Sequence, residues 1–252
     1  MIRKTTGTLY IGIGLVIVII ISLTFSIFIN EIEGFDRDVD RIDYYVISMK
    51  VPERITNMED QQKKMTSTLN IFDAVNGDTL DIHNIDGIMV TDEFKSEDRH
   101  RKREIGCYLS HYGVLRTIKE SGDPNGYTVI FEDDFQIIVD NFEDQIKKTL
   151  YDMKDHDFDL LYVDNLSNNK GEPFIENVCK MDHAKDMWGT QSYIVKNKNI
   201  GKLLEQCSKI DMPIDWKYIT GIKSGKLNAY TFCPYLTSSR GFESTMSSTM
   251  SI

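Results

Sequence analysis

Several features that would point to other classes of protein are missing from this chain of 252 residues. It has no Pro/Gly-rich or low-complexity stretch and no internal repeat, which favours an ordinary globular domain. No CxxC pair and no sequence cluster of Cys and His occurs, which argues against a zinc site. Acidic residues (39) outnumber basic ones (29), giving a net charge of -10. Such a chain lacks the clustered Lys and Arg that a nucleic-acid duplex requires, although a pocket for one nucleotide stays open.

Cysteines are also few, and Cys107, Cys179, Cys207 and Cys233 are widely spaced. In an oxidising compartment they allow one or two disulfides, whose pairing the sequence does not determine. Buried free thiols are the alternative. The sequon Asn165-Leu166-Ser167 would accept a glycan only in a eukaryotic lumen.

The chain begins with a long uncharged segment, LYIGIGLVIVIIISLTFSIFI, over residues 9–29. About 20 apolar residues in a helix span the hydrocarbon core of a membrane. A cleaved signal peptide is disfavoured because the run is long and no small-x-small cleavage site follows it. Arg3 and Lys4 precede the segment. We therefore expect a single-pass type II protein whose body faces a lumen or the exterior, in the ER and Golgi or on a viral or cell envelope. The predicted parts are a cytoplasmic tail (1–8), a transmembrane anchor (9–29), a stalk (30–42) and one folded domain (43–252).

Strand patterns alternate with helix patterns along the predicted domain. This order predicts a single α/β domain with a mostly parallel central sheet. The helix that opens at Pro52 is expected to bury Ile55, Met58, Met65 and Leu69. The other predicted elements are strands at 44–49, 70–75, 127–131, 159–163 and 190–195, helices at 104–121, 142–153 and 199–207, and a surface loop at 81–103.

Three consecutive carboxylates, Glu132-Asp133-Asp134, follow the apolar strand TVIF. In open α/β sheets ligands bind at the carboxyl ends of the strands. If extended geometry persists there, Glu132 and Asp134 point to one side and Asp133 to the other. Two carboxylates on one side suit Mg²⁺ or Mn²⁺, which also bind substrate phosphates and neutralise a departing diphosphate. A solvated acidic turn is the alternative, and metal-dependent nucleases and phosphatases share the pattern.

Four segments in order narrow these alternatives: YYVISMKVPERITNME, FDAVNGDTL, EIGCYLSHYGVLRTI and TVIFEDDF. Together they resemble glycosyltransferase family 25, which includes bacterial lipooligosaccharide galactosyltransferases and collagen galactosyltransferases. EIGCYLSH followed about twenty residues later by FEDD is the specific part. The resemblance implies a GT-A-type (Rossmann-like) fold, a nucleotide-sugar donor and inversion at the sugar carbon.

The resemblance also implies roles for particular residues. Arg54 occupies the place of an arginine that follows strand one in the family, and from there it would reach the nucleotide. The chain departs from the family here, because the family often has an Arg-rich segment where this chain reads MKVPER. An exposed arginine on an amphipathic helix is the alternative. Ser110 and His111 would support the donor pocket. Glu132 and Asp134 would bind the metal, and Glu132 and Asp133 would bind the donor diphosphate.

Inversion requires a general base that takes the proton of the acceptor hydroxyl. Asp215 matches an acid that the family carries late in the domain, beside Trp216, which is suited to stack on a sugar; a helix N-cap is the alternative role. Asp164, past the strand DLLYV, is the competing base or a second acidic contact, at a position where the family usually has a small residue. His183 would complete the metal shell or lie in an exposed loop.

The sequence thus predicts a membrane-anchored, Mn²⁺- or Mg²⁺-assisted hexosyltransferase that moves galactose or glucose from a UDP-sugar to a glycan or a hydroxylated protein. Its expected partners are the UDP-sugar, the glycan or protein acceptor and the membrane, but not nucleic acid. The alternative is a non-catalytic relative that binds glycans or serves as a scaffold. A metal nuclease is disfavoured by the acidic charge.

Overall fold

The protein is described from a computed structural model, in which residues 41–166, 171–185 and 188–241 are defined. The predicted tail, the anchor at 9–29 and nearly all of the stalk lie outside these residues. In the defined ranges no helix is both long and apolar enough to cross a membrane. The elements, numbered in chain order, are strands β1 (Ile42–Ser48), β2 (Leu69–Asp73), β3 (Met89–Val90), β4 (Tyr127–Glu132), β5 (Phe135–Ile137), β6 (Leu160–Tyr162), β7 (Glu172–Ile175), β8 (Val178–Lys180), β9 (Ser192–Lys196), β10 (Lys209–Ile210), β11 (Ala229–Phe232) and β12 (Thr237–Ser239), and helices α1 (Pro52–Gln62), α2 (Arg99–Ser121), α3 (Phe142–Asp152), α4 (Ile200–Gln206) and α5 (Ile214–Lys223).

An eight-stranded sheet in the order β2-β1-β4-β9-β6-β11-β8-β7 forms the centre of the domain. β1 is parallel to β2 and β4, and β6 is parallel to β11. β9 is antiparallel to both β4 and β6, and β8 is antiparallel to both β11 and β7. Within this sheet, the six strands other than β8 and β9 therefore point in one direction. The prediction of an α/β domain with a mostly parallel sheet is confirmed.

Strand β9 departs from the simple alternation of strands and helices. Between β6 and β9 the described residues (163–166, 171–185 and 188–191) form the β7–β8 hairpin and no crossover helix. Two adjacent parallel strands need a crossover connection. β9 needs none, because it runs antiparallel to its neighbours β4 and β6. As a result, the start of β9 lies at the same sheet edge as the ends of β4 and β6.

Helices cover both faces of the sheet and create two layers of core. On one face, Ile130 and Tyr193 of the sheet belong to a cluster with Ile105 and Tyr108 of α2 and Leu203 of α4. On the other face, an aromatic group packs around β4, with centroid distances of 6.5 Å for Tyr44–Phe131, 4.1 Å for Phe131–Phe135 and 6.1 Å for Phe131–Phe142. β4 is buried on both faces from Tyr127 to Phe131, which agrees with its nearly continuous apolar sequence.

Helix α1 begins at Pro52 as predicted, but its buried face differs from the expected one. Ile55 is 37% exposed, and Leu69 belongs to β2 because the helix ends at Gln62. Met58 is the only predicted member buried within the helix; the buried face as a whole is Arg54, Asn57, Met58 and Gln61. Met65 and Leu69 are buried beyond the end of the helix, which is shorter than the pattern indicated, and the buried face of the helix is mainly polar because of the site described below.

Helix α2 is longer than the predicted 104–121. Asp98 caps it by accepting a hydrogen bond from the Arg101 N–H at 3.1 Å, so the helix begins at Arg99 within the expected surface loop. Its end, at Ser121 before Gly122, agrees with the prediction.

One disulfide, between Cys179 and Cys233, joins β8 to the residue after β11. Cys107 and Cys207 are free thiols. In the sequon, Asn165 is 6% exposed and donates from Nδ2 to Thr231 Oγ1 at 3.3 Å. A buried, bonded amide is not a surface acceptor, so glycosylation of folded chains at this sequon is disfavoured.

We predict that the Cys179→Ser/Cys233→Ser double variant loses about 2–4 kcal/mol of unfolding free energy, because the bridge closes a long loop in the unfolded chain. Urea unfolding measures the change. Dithiothreitol should lower the midpoint of the wild type and leave the double variant unchanged. An equal effect of the reductant on both proteins would assign the stabilisation to another cause.

Candidate functional site

A cleft opens at the carboxyl ends of β1, β2 and β4. Ile47 and Met49 at the end of β1, Ala74 and Val75 after β2, and the carboxylates after β4 line it. The three strands are parallel, so their ends meet at one edge of the sheet. This is the edge at which open α/β sheets bind ligands.

Arg54 lies between two of the carboxylates in this cleft. Its Nη1 is 3.2 Å from Asp133 Oδ1 and 3.4 Å from Asp134 Oδ2. Arg54 is 6% exposed, so the alternative of an exposed surface arginine is wrong. Burial raises the pKa of both Asp133 and Asp134, and the Arg54 charge opposes that rise. The repulsion among the acids is therefore relieved in part by the protein itself.

The carboxylates lie in a turn because β4 ends at Glu132. The Asn57 side-chain amide donates to the carbonyl oxygens of Asp133 and Phe135 at 3.0 and 2.9 Å, and the Ser48 hydroxyl donates to Asp133 Oδ2 at 2.7 Å. Asp133 and Asp134 both face Arg54. The extended geometry on which the same-side placement of Glu132 and Asp134 was conditional stops at Glu132, so that condition is not met.

Glu132 has different neighbours from the two aspartates. Its Oε1 accepts from the Thr190 hydroxyl at 2.7 Å and lies 3.3 Å from His111 Nε2. His111 is itself buried, and its Nδ1 forms a 2.9 Å hydrogen bond with the Tyr193 hydroxyl. Burial alone would raise the pKa of Glu132, but hydrogen bonds from His111 and Thr190 and the charge of Arg54 lower it below the usual value. Glu132 is thus held as a carboxylate.

The EIGCYLSH segment of α2 attaches the helix to the loop after β2 and to the segment around β10. A Cβ at Gly106 would lie 2.7 Å from the Val75 carbonyl oxygen, so only glycine permits this close approach to the β2 loop. Ser110 Oγ accepts from the Val75 N–H at 2.9 Å. On the opposite side, the Tyr108 hydroxyl donates to the carbonyl oxygens of Cys207 and Lys209, both at 3.0 Å. These contacts fix the position from which His111 reaches Glu132.

The fold creates a Cys/His cluster that the sequence does not show. Ligand atoms of Cys107, His111 and Glu132 lie within 4.8 Å of one another. Burial raises the pKa of the Cys107 thiol well above its ordinary value, and the charges of Glu132, Asp215 and Glu104 raise it further. A metal-binding cysteine must be deprotonated, so these charges oppose a thiolate site.

Asp164 is almost fully buried, at 6% exposure. Thr237 Oγ1 donates to its Oδ2 at 3.0 Å. Its Oδ1 has no hydrogen-bond partner within residues 41–166, 171–185 and 188–241, and the same is true of Asp134 Oδ1. Burial raises the pKa of Asp164 to about 6; hydrogen bonding by Thr237 and Ser192 opposes the rise, while the charges of Glu132 and Asp134 add to it.

Asp215 lies in the first turn of α5, while Pro213 holds the N-cap position. The N-cap alternative for Asp215 is therefore wrong. Its Oδ1 accepts from the Trp216 N–H at 2.9 Å, and its Oδ2 accepts from the Gly189 N–H at 3.4 Å, next to Thr190. Asp215 is thereby linked to the neighbourhood of Glu132, although it does not line the cleft itself.

Two exposed tryptophans accompany Asp215. Trp188 is 39% exposed and Trp216 is 43% exposed, and their rings pack edge to face with centroids 5.0 Å apart. Exposed tryptophans at a site commonly contact a ligand. His183, by contrast, is exposed and donates from Nδ1 to the Ile222 carbonyl oxygen at 2.7 Å, in a loop against α5.

Sequence reasoning missed the hydroxyl and amide groups that hold the acids. These are Ser48, Asn57, Thr190, Thr237 and Ser239. For Asn57 a signal existed, because Arg54, Asn57 and Gln61 follow one another at helical spacing as a polar stripe. The hydroxyl residues come from distant segments and carry no local signal.

Comparison with solved structures finds weak similarity. A197 from STIV has a TM-score of 0.38 at 12% identity, covering 76% of this chain and 81% of that one. UDP-glucose pyrophosphorylase complexed with UDP-glucose has a TM-score of 0.41 at 12% identity, covering 76% and 90%. At these scores neither structure defines the fold, which the strand order above describes.

Sequence relatives are more informative. The chain is 25% identical over 202 residues to procollagen galactosyltransferase 1-A of Xenopus laevis, covering 68% of this chain and 32% of that protein. It is 26% identical over 167 residues to human procollagen galactosyltransferase 2, covering 58% and 25%. Probable inactive glycosyltransferase 25 family member 3 of Rattus norvegicus is 27% identical over 180 residues, covering 68% and 30%. The chain thus spans about a third or less of the length of these relatives.

The family described as glycosyltransferase family 25 (LPS biosynthesis protein) matches residues 41–217, from the strand before Arg54 to the first turn of α5. This range contains the cleft, its carboxylates and the EIGCYLSH segment, and the chain therefore belongs to glycosyltransferase family 25.

Proposed function

We propose that the protein transfers a hexose, galactose or glucose, from a UDP-sugar to a glycan or a hydroxylated protein side chain, on a GT-A-type (Rossmann-like) domain. The observation that carries the proposal is the cleft at the ends of β1, β2 and β4, which contains the three consecutive carboxylates of residues 132–134 in a family 25 chain. The names of the procollagen galactosyltransferases support a galactosyl donor and a protein acceptor. The uncharged segment at 9–29 supports a membrane-anchored type II form.

The acidic residues fit the divalent cation that this function implies. The buried Asp134 Oδ1 has no donor within the defined residues, and a carboxylate oxygen of this kind is a ligand for Mg²⁺ or Mn²⁺. Asp134 and Glu132 would hold the ion. When bound, it would supply positive charge to the departing diphosphate.

The remaining cleft residues are suited to hold the donor. Arg54 lines the cleft and fixes the orientation of Asp133 and Asp134. Its positive charge offsets part of their negative charge, so the cleft repels a diphosphate less strongly. Ser110 orients the Val75 loop, and His111 holds Glu132 ionised. We propose that these groups position the donor rather than transfer protons.

Asp215 is our candidate for the general base, and Asp164 is the less favoured one. A base must come within hydrogen-bond distance of the acceptor hydroxyl. Asp215 is half-buried beside the exposed Trp188 and Trp216, on which an acceptor sugar or peptide would pack. Asp164 is 6% exposed, which leaves little access for an acceptor.

A second candidate function is binding without catalysis. The relatives from Rattus norvegicus and Mus musculus are named as probable inactive and inactive family members, at 27% identity each. Such a protein would keep the domain as a glycan-binding or scaffold module. The carboxylates and their supporting hydrogen bonds favour the enzyme.

For the proposed enzyme, we expect transfer or hydrolysis of a UDP-hexose that requires MnCl₂ or MgCl₂. Asp134→Asn should reduce turnover at least about 100-fold, corresponding to a few kcal/mol of lost transition-state stabilisation. Release of UDP from radiolabelled UDP-galactose and UDP-glucose measures the effect, and circular dichroism checks folding. The matched control is Asp92→Asn, at a side chain that is 97% exposed. Turnover of Asp134→Asn near the wild-type level would contradict the metal assignment.

Ligand-induced stabilisation separates the two candidate functions. We expect UDP with MnCl₂ to raise the melting temperature, because a ligand that binds only the folded state stabilises it by mass action. Differential scanning fluorimetry of the full-length chain measures the shift. No shift, together with no turnover of either UDP-sugar, would favour the non-catalytic alternative.

The exposed tryptophan pair should affect the acceptor and not the donor. We expect Trp216→Ala to raise the acceptor KM about tenfold, equivalent to about 1.4 kcal/mol, with an unchanged KM for the UDP-sugar. Trp216→Phe retains an aromatic face and should recover most of the loss. A parallel rise in the donor KM would place Trp216 in the donor pocket instead.

A further inference from the structure

Strand β12 binds the carboxylates of both Asp134 and Asp164. Ser239 Oγ donates to Asp134 Oδ2 at 3.2 Å, and Thr237 Oγ1 donates to Asp164 Oδ2 at 3.0 Å. Alternate residues of a strand face the same side, so the two hydroxyl groups lie on one face of β12, about 7 Å apart. Each acid is therefore held on that face by its own hydroxyl group, and the charge of Asp134 acts on Asp164.

Backbone hydrogen bonds around β12 support the same arrangement. The Leu236 N–H donates to the Val163 carbonyl oxygen at 3.2 Å, directly before Asp164. The Arg240 N–H donates to the Asp134 carbonyl oxygen at 2.8 Å. β12 is thus attached at one end to the end of β6 and at the other to the turn after β4.

Each of these carboxylates retains a buried oxygen that the described part of the chain does not satisfy. Asp134 Oδ1 and Asp164 Oδ1 accept no hydrogen bond there, while the other oxygen of each is bound by β12. A buried carboxylate oxygen without a donor is costly, and the two negative groups also repel each other. An added positive ion would relieve both costs.

We propose that Asp164 joins Asp134 as a ligand of a divalent cation at the β12 face. The proposal rests on the metal-assisted function above and adds a ligand to it. Hard cations such as Mn²⁺ bind carboxylate oxygens and complete their shell with water and donor phosphates. The family usually has a small residue at the position of Asp164. A ligand at Asp164 is therefore a feature of this chain.

This role also accounts for the burial of Asp164. A residue that is 6% exposed and bonded to Thr237 is inaccessible to an acceptor hydroxyl but suited to hold a buried ion. Asp164 then acts through the cation, and proton removal is left to Asp215.

Binding of MnCl₂ to the full-length chain tests the proposal without any turnover. The electron paramagnetic resonance signal of free Mn²⁺ gives the dissociation constants of the wild type, Asp164→Asn, Asp134→Asn and the exposed control Asp92→Asn. We expect at least tenfold weaker binding for Asp164→Asn and for Asp134→Asn, and wild-type binding for Asp92→Asn.

Melting temperatures distinguish a lost ligand from a damaged fold. Without cation, Asp164→Asn should melt no lower than the wild type, because it removes a buried charge near Glu132 and Asp134. Saturating MnCl₂ should raise the wild-type melting temperature and leave that of Asp164→Asn nearly unchanged. If the asparagine variant does not fold, Asp164→Ala, with a small side chain as in the family, replaces it.

Three outcomes overturn the inference. If Asp164→Asn binds Mn²⁺ as the wild type does and Asp134→Asn does not, Asp164 is not a ligand, while the proposed function is unaffected. Binding that is lost in Cys107→Ser and retained in Asp164→Asn would assign the ion to the Cys107 group. A wild-type chain that binds no Mn²⁺ at millimolar concentration would overturn both this inference and the metal-assisted function.

Discussion

The site depends on one constraint, the crowding of half-buried carboxylates around the buried Arg54. Arg54 pairs with both Asp133 and Asp134, and removing one partner of a buried ion pair typically costs about 3–5 kcal/mol. The polar face of α1 follows from this constraint, since Asn57 secures the backbone of the same turn. This turn determines where β5 begins, and β5 pairs with β12. Helix, turn and strand are therefore parts of one electrostatic arrangement.

Features with local signals were predicted from the sequence. The alternation of strands and helices up to β6, the start of α1 at Pro52 and the end of α2 at Ser121 follow from periodicity and from breaking residues. The position of Glu132 at a strand end and the family membership were also predicted, because each is carried by a contiguous segment.

The remaining features depend on contacts between distant segments. The buried Arg54 lies on a helix whose periodicity suggested an apolar face, and only the acids about 80 residues later explain its burial. The reversed direction of β9 places Thr190 beside Glu132, 58 residues away in sequence. Thr237 reaches Asp164 across 73 residues. No periodic pattern encodes such pairings, since each hydroxyl acquires its role from the partner that the fold supplies.

The disulfide has a practical consequence for work on this protein. Cys233 lies four residues before Thr237, so the covalent link to β8 fixes the chain just upstream of the strand that supports Asp134 and Asp164. Material produced in a reducing cytosol would lack this tether next to the site. The oxidation state of Cys179 and Cys233 therefore affects how firmly the strand that supports the site is held. Oxidised and reduced preparations differ in this respect.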